Sequence, residues 1–341
     1  MCINNTMAYP VDATSRTEQN HAKEMNRSTG KWLLKNPAYS PAGELRAPPY
    51  VIRKYRDVRW RVKQVLTSLF WRRRYGRLRE PKVDSLVPHD PAIQSVIKEE
   101  LKRNGFDVQD WRIDPAEYRE YLKRAGYHAF SGYLDGGTSH VFTEKSLEHF
   151  LAAKLLDVSP DDVYIDIAND NSPTPEVYRK VYGCRTYRQD LWFPAGVHGN
   201  IIGSDASHLP VENGFATKMA LHCSLEHFEG ESDMAFMKEA GRVLRAGGRL
   251  CVLPLYLFNR YVIQTDPMVL PRAGLPFESD ALLYCVRNWG NRHGRFYDVP
   301  HLITRIRNNL DWARLTIYSI ENEKEVDPSC YVKFAALIEK K

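Results

Sequence analysis

From residue 163 onward, short apolar runs alternate with stripes of apolar residues at helical spacing. Val163–Ala168 is the clearest run. It is rich in β-formers, as a strand buried on both faces of a parallel sheet requires. Asn169, Asp170 and Asn171 follow, residue types that tolerate turns and left-handed backbone. Ser172 suits a helix cap and Pro173 a first helical position. The pattern then predicts a helix near 174–182, a strand around Cys184–Tyr187, a third strand over Asn200–Asp205 and a fourth over Phe215–Leu221. A helix over about 231–244 ends at Gly247 and Gly248, and Arg249–Tyr256 makes a strong fifth strand. This rhythm predicts an α/β protein with a doubly wound, mostly parallel sheet. Ligands of such sheets sit at the carboxyl ends of the strands. Residues 257–296 break the rhythm as an insertion. Asp298 suits the cap of a helix over 299–309, and Leu315–Ile320 with Tyr331–Ile338 read as a terminal antiparallel hairpin.

Ahead of that core, Thr143–Leu156 is predicted as an amphipathic helix with Leu147, Phe150, Leu151 and Leu155 on its core side. Residues 91–128 read as two helices, one stopped by Gly105 and one capped by Asp114, and 130–140 as a loop. In residues 50–79, Val51, Tyr55, Val58, Val62, Val65, Leu66 and Leu69 recur at spacings of three and four, one face of a helix. Residues 1–49 are polar with sparse apolar positions and read as a disordered or extended tail. The organisation expected is therefore a tail (1–49), a basic helical region (50–142) and a core domain (143–341) with its insertion at 257–296.

Charge changes the picture at one place. Residues 50–82 hold twelve Lys or Arg and two acids, so the remainder carries about −4 against a total of +6. The larger body is therefore not a basic nucleic-acid surface, which disfavours nucleic acid as a partner. Three readings of the basic helix stay open: an anionic membrane surface, RNA held by phosphate contacts and stacking, or a helix packed by its stripe with a solvated basic face. The six cysteines are scattered without Cys-x-x-Cys spacing, so neither a metal site nor a disulfide framework is expected. That usage, with no apolar run near the length of a membrane span, implies a cytoplasmic protein, peripheral at the inner membrane face if residues 50–79 bind lipid.

Three stretches carry a more specific signal. They are Ile202-Gly-Ser-Asp-Ala-Ser-His-Leu-Pro-Val-Glu-Asn-Gly-Phe, Leu225-Glu-His-Phe and Arg242-Val-Leu-Arg-Ala-Gly-Gly-Arg-Leu. In this order, after a strand ending at Asp166, they resemble the class I S-adenosylmethionine-dependent methyltransferases, in particular the small-molecule group similar to methyltransferase type 11. The resemblance covers about residues 143–256 and continues through the elements after 296. It implies a seven-stranded Rossmann-like sheet with a helical N-terminal extension, S-adenosylmethionine as cofactor, and methyl transfer to a small or lipid- or sugar-linked acceptor.

The resemblance also implies a site. Asp166, Ala168, Asn169 and Asp170 would face the cofactor at the end of the first strand. Asp190, 24 residues after Asp166, would take the ribose hydroxyls. Asp205 and Ala206 would take the adenine, and His222 would close over the methionine part. Methyl transfer rests mainly on positioning. A general base helps only where the acceptor must lose a proton, and His227, His222 and Tyr133 are the candidates. Arg260, Arg272, Tyr284, Trp289, Arg292 and His293 in the insertion are candidates for holding an anionic or sugar-like acceptor. One departure stands out: where such proteins place glycines at alternate positions after the first Asp, this chain has Ala168, Asp170 and Ser172. Two alternatives therefore accompany the enzyme: an inactive binding or assembly module of the same fold, and an RNA methyltransferase.

Overall fold

The computed structural model describes residues 91–130, 141–266, 277–286 and 289–341, with the single positions 62, 65, 66, 69, 133, 137 and 139. The tail, most of the basic segment 50–79, and Arg272 lie outside the described residues. Val62, Val65, Leu66 and Leu69, all from the predicted stripe, are helical and exposed. Contacts divide the chain after Val65, and the sheet and the site belong to the second unit, Leu66–Lys341. Among the described residues no helix is long and apolar enough to cross a membrane.

The expected doubly wound sheet is present. Its strands are β1 (Asp107–Trp111), β2 (Val163–Ile167), β3 (Arg185–His198), β4 (Ile201–Gly203), β5 (Ala216–His222), β6 (Leu244–Leu253), β10 (Ala313–Ile320) and β11 (Phe334–Lys340). Their order is β1-β10-β11-β6-β5-β2-β3-β4. β2, β3, β4, β5 and β6 are parallel, while β11 runs antiparallel to both β6 and β10. The sheet thus has eight strands where seven were expected. The extra one, β1, pairs in parallel with β10 at the edge, inside a stretch that reads as helical. Asp-Val-Gln-Asp-Trp holds no apolar run because an edge strand is solvated along most of its length.

Each central strand feeds two cores. Ile165 and Ile167 of β2 pack on one side with Met219, Leu221, Leu250 and Val252. Tyr164 packs on the other with Ala220, Cys251 and Leu253. The helices follow from the same alternation: α1 (Pro91–Arg103), α2 (Pro115–Ala125), α3 (Phe142–Leu156), α4 (Thr174–Tyr182), α5 (Ser232–Val243), α6 (Val299–Arg305) and the short α7 (Glu323–Val326). Asp114 and Asp298 cap α2 and α6 by accepting from Ala116 N and His301 N. Helix α4 starts one residue later than the Ser172–Pro173 pattern suggests, with Pro173 as its cap residue. Ser172 Oγ instead pairs with Thr174 Oγ1 at 2.6 Å. The insertion builds a small sheet of its own from β7 (Val262–Thr265), β8 (Leu282–Cys285) and β9 (Gly294–Phe296).

Candidate active site at the carboxyl ends of β2 and β5

The loop after β2 lacks glycine and takes a glycine-like path all the same. Ala168, Asp170 and Asn171 have φ of 51°, 42° and 61°. Left-handed backbone costs an L-residue roughly 1–2 kcal/mol, less for Asp and Asn, whose side chains bond locally. The middle of β3 holds the path in place. Three consecutive loop amides are bound there: Ala168 N donates to Gln189 Oε1 at 3.1 Å, Asn169 N to Gln189 O at 2.9 Å, and Asp170 N to Asp190 Oδ2 at 2.9 Å. Gln189 Nε2 in turn donates to Ser204 O at 2.6 Å, tying in the end of β4. Ala168→Gly should therefore stabilise the protein by up to about 1 kcal/mol, after allowance for the extra freedom of glycine in the unfolded chain. Urea unfolding checks this, and a lower midpoint at unchanged slope would refute left-handed backbone at 168.

Asp166 lies fully buried at the root of the loop. Its carboxylate accepts from Tyr164 Oη at 2.9 Å and from Asn169 Nδ2 at 2.5 Å, with His222 Nε2 at 3.6 Å. Burial pushes its pKa up to about 7. The same burial, with Lys145 nearby, holds His222 down at about 3, so its ring is neutral. Asp170 sits at the exposed rim, its pKa raised by partial desolvation and by Asp190. Asp190 is buried and also accepts from Trp192 N at 3.1 Å. Asp205 is exposed and accepts from Ser207 N and Oγ, both at 2.8 Å, while Ala206 is buried beside it. The structure thus gathers the ends of β2 and β5 and the middle of β3 around one loop. Asn169 Oδ1, Ser204 Oγ and His222 Nδ1, all buried there, have no hydrogen-bond partner.

Past Asp190, β3 continues as an arm whose residues Ala195–His198 come back alongside Ile201–Gly203 of β4. Leu191 and Trp192 at its root are 67% and 83% exposed, large apolar surfaces beside the predicted ribose position. No periodicity announces this arm.

A cavity of about 260 Å³ opens at Cys223, directly after β5. It is lined by Lys145, Cys223, Glu226, His227, Gln264 and Asn291 and by the aromatic rings of Tyr256, Trp289, Phe296 and Tyr331. Lys145 Nζ donates to both oxygens of Glu148, at 3.2 and 3.4 Å, and to Cys223 Sγ. The Cys223 thiol donates to Glu148 at 3.2 Å and lies 3.4 Å from Tyr256 Oη. Burial and Glu148 push that thiol well up, so it stays protonated. Glu148, fully buried, is raised to about 6 by burial against the pull of Lys145.

His227 stands where loop and cavity meet. Its Nδ1 lies 2.6 Å from His293 O, and since a carbonyl only accepts, Nδ1 carries the proton. The lone pair of the neutral ring is then on Nε2, 3.6 Å from Glu226 Oε1. His293 Nδ1 donates to Glu226 O at 3.0 Å, so the insertion and the turn after β5 latch each other. Tyr133 is placed differently: it stacks on His149 at 6.1 Å, bonds Ser172, and has its phenol held protonated by burial. Of the insertion residues, Trp289 lines the cavity, Arg292 pairs with Glu229 at 2.6 Å, and His293 serves the latch. Arg260 is exposed and Tyr284 partly buried against the apolar cluster of β7.

Sequence patterning misses Lys145, Glu148 and Glu226. Helix α3 reads as amphipathic, yet it is buried nearly all round, with Glu144 and Glu148 buried and Lys145 lining the cavity. Three charges within its first two turns, Glu144, Lys145 and Glu148, were the available signal. Among the described residues, no group of three or more His, Cys, Asp or Glu side chains is placed to hold a metal ion.

No protein-family model matches the chain, and no curated protein matches it. Solved structures do. One is the Burkholderia thailandensis 1,6-didemethyltoxoflavin-N1-methyltransferase with bound 1,6-didemethyltoxoflavin and S-adenosylhomocysteine (16% identity, 67% of this chain and 91% of that one, TM-score 0.37). Another is the geranyl diphosphate C-methyltransferase of Streptomyces coelicolor A3(2) (12% identity, 64% and 84%, TM-score 0.38). A third is the PH0226 protein of Pyrococcus horikoshii OT3 (15% identity, 65% and 99%, TM-score 0.41). At these values the likeness says nothing of activity. The fold is read from the sheet itself, doubly wound and mostly parallel with an antiparallel β11.

Proposed function

We propose that the protein transfers a methyl group from S-adenosylmethionine to a small acceptor seated in the cavity beyond β5. The observation that carries the reading is the loop after β2, which keeps a left-handed path without glycine and is held there by Gln189 and Asp190. A protein that had no use for that path would relax it, because strained backbone persists where the surroundings enforce it. The residues present fit the cofactor. Its sulfonium and ammonium call for negative charge, and Asp166 and Asp170 flank the loop. Its hydroxyls and amine call for acceptors, and Asn169 Oδ1 and His222 Nδ1 are buried without partners.

When bound, the cofactor supplies an electrophilic methyl group. Asp166 and Asp170 favour its cationic end, and Asp190 keeps lone pairs for the ribose hydroxyls beyond its two amide bonds. Asp205 and Ala206 border the adenine. Neutral His222 flanks the methionine part without adding a competing charge. His227 Nε2 is the atom placed to take a proton from an acceptor that must lose one.

Titration calorimetry with S-adenosylmethionine and S-adenosylhomocysteine tests the reading. Free Asp166 holds its proton up to about pH 7, and a cationic ligand favours the ionised form. Affinity should thus rise with pH up to about 7 and level off above it, by at most about tenfold per unit for one proton. Asp166→Asn should flatten the profile. No heat with either ligand at millimolar concentration would sink the proposal.

A further inference from the structure

The cavity beyond β5 contains a buried carboxylate that lacks a donor. The Glu226 side chain is 7% exposed and lines the cavity, and its Oε2 has no hydrogen-bond partner. His227 cannot supply one while neutral, because its proton is committed to His293 O. Lys145 cannot either, because its protons are committed to Glu148 and Cys223. An isolated buried carboxylate is costly unless something pairs with it. The same cavity is lined by the aromatic rings of Tyr256, Trp289, Phe296 and Tyr331, with Gln264 and Asn291. Burial keeps the two tyrosine phenols protonated, so the surface presents neutral rings. A buried carboxylate sharing a cavity with aromatic rings is the chemistry that recognises an ammonium group.

We propose that the acceptor is a small amine, bound through Glu226 and the aromatic surface; this rests on the methyl-transfer reading above. The ammonium donates to Glu226 Oε2, which answers the missing donor. For transfer, the nitrogen first gives a proton to His227 Nε2. Its lone pair then forms the N–C bond to the methyl carbon as the C–S bond breaks, and that electron pair stays on sulfur. The products are the methylated ammonium and neutral S-adenosylhomocysteine sulfur. An anionic acceptor is disfavoured, since Lys145 is neutralised by Glu148 and Glu226 adds negative charge.

Binding of n-butylamine, an ammonium ion at neutral pH, and of its uncharged counterpart 1-butanol to the full chain, by titration calorimetry, decides the matter without turnover. The expected result is at least tenfold tighter binding of the amine. Glu226→Gln should cost the amine at least tenfold and leave the alcohol within about twofold. Trp289→Leu keeps apolar bulk but removes a π-face, and should weaken the amine at least threefold with the alcohol again little changed. Equal binding of both compounds, no binding of either at millimolar concentration, or equal losses for both in the variants would overturn the proposal. If S-adenosylhomocysteine binds and the amine shows no preference over the alcohol, the amine acceptor fails and methyl transfer stands. A preference for the amine without S-adenosylhomocysteine binding overturns methyl transfer and leaves the cation site.

Discussion

Asp233→Ala should lower the unfolding free energy by about 3–5 kcal/mol, the cost of stripping a buried cation of its partner. Asp233 is fully buried on α5 and joins three elements. Its Oδ2 accepts from Tyr297 Oη at 2.7 Å and Arg305 Nε at 2.9 Å and lies 3.0 Å from Arg295 Nη1, and its Oδ1 accepts from Arg305 Nη2 at 2.7 Å. Arg295 is itself fully buried, with Glu278 as its other acid at 2.7 Å. Removing Asp233 leaves two guanidinium groups sharing one carboxylate. Asp233→Asn keeps an acceptor and should fall between. Urea unfolding measures both, and a loss under about 1 kcal/mol for the alanine would contradict the assigned network. The site should feel the change too. Arg295 donates to the carbonyls of Phe228 and Gly230, directly after His227, so the turn bearing Glu226 and His227 is pinned by this cluster.

Gly203→Ala should damage the cofactor side of the site. A Cβ at 203 would lie 1.8 Å from Pro194 O and 2.6 Å from Phe193 O, both backbone atoms of the β3 arm. Backbone cannot swing aside as a flexible side chain can, so the arm must lift from β4. Overpacking of this kind costs about 1–3 kcal/mol and sometimes more. The local consequence is larger, because Asp190 is at the root of the arm and Ser204 N donates to Asp190 O at 3.3 Å. We expect S-adenosylhomocysteine affinity to fall at least about tenfold, the equivalent of 1.4 kcal/mol. Unchanged affinity and stability would show that the arm does not lie against Gly203.

Both predictions concern features that no local pattern announces. Asp233, Arg295 and Arg305 are far apart in sequence, and Gly203 reads as an ordinary strand residue. The strands around them were legible because a strand buried on both faces must be a short apolar run, as Val163–Ile167 is. β1 was not, since an exposed edge strand needs no such run. The polar positions of α3 were read as solvent-facing because periodicity reports which residues are apolar and not what covers the others. Lys145 and Glu148 pair with each other, and Glu148 and Glu144 are buried, which only the packing of α3 against β5 and β6 decides.

The loop after β2 divides the two contributions most cleanly. The sequence by itself determined that a strand ends at Asp166, that a turn-tolerant polar loop follows, and that the downstream motifs belong to a doubly wound sheet. Those properties depend on neighbours in the chain. It did not determine the path of the loop, since Ala168, Asp170 and Asn171 favour right-handed or extended backbone when left alone. Amide acceptors from Gln189 and Asp190, some twenty residues away, hold Ala168 and Asp170 left-handed. Strain at one place is offset by hydrogen bonds brought from another, and that exchange exists only once the sheet has formed.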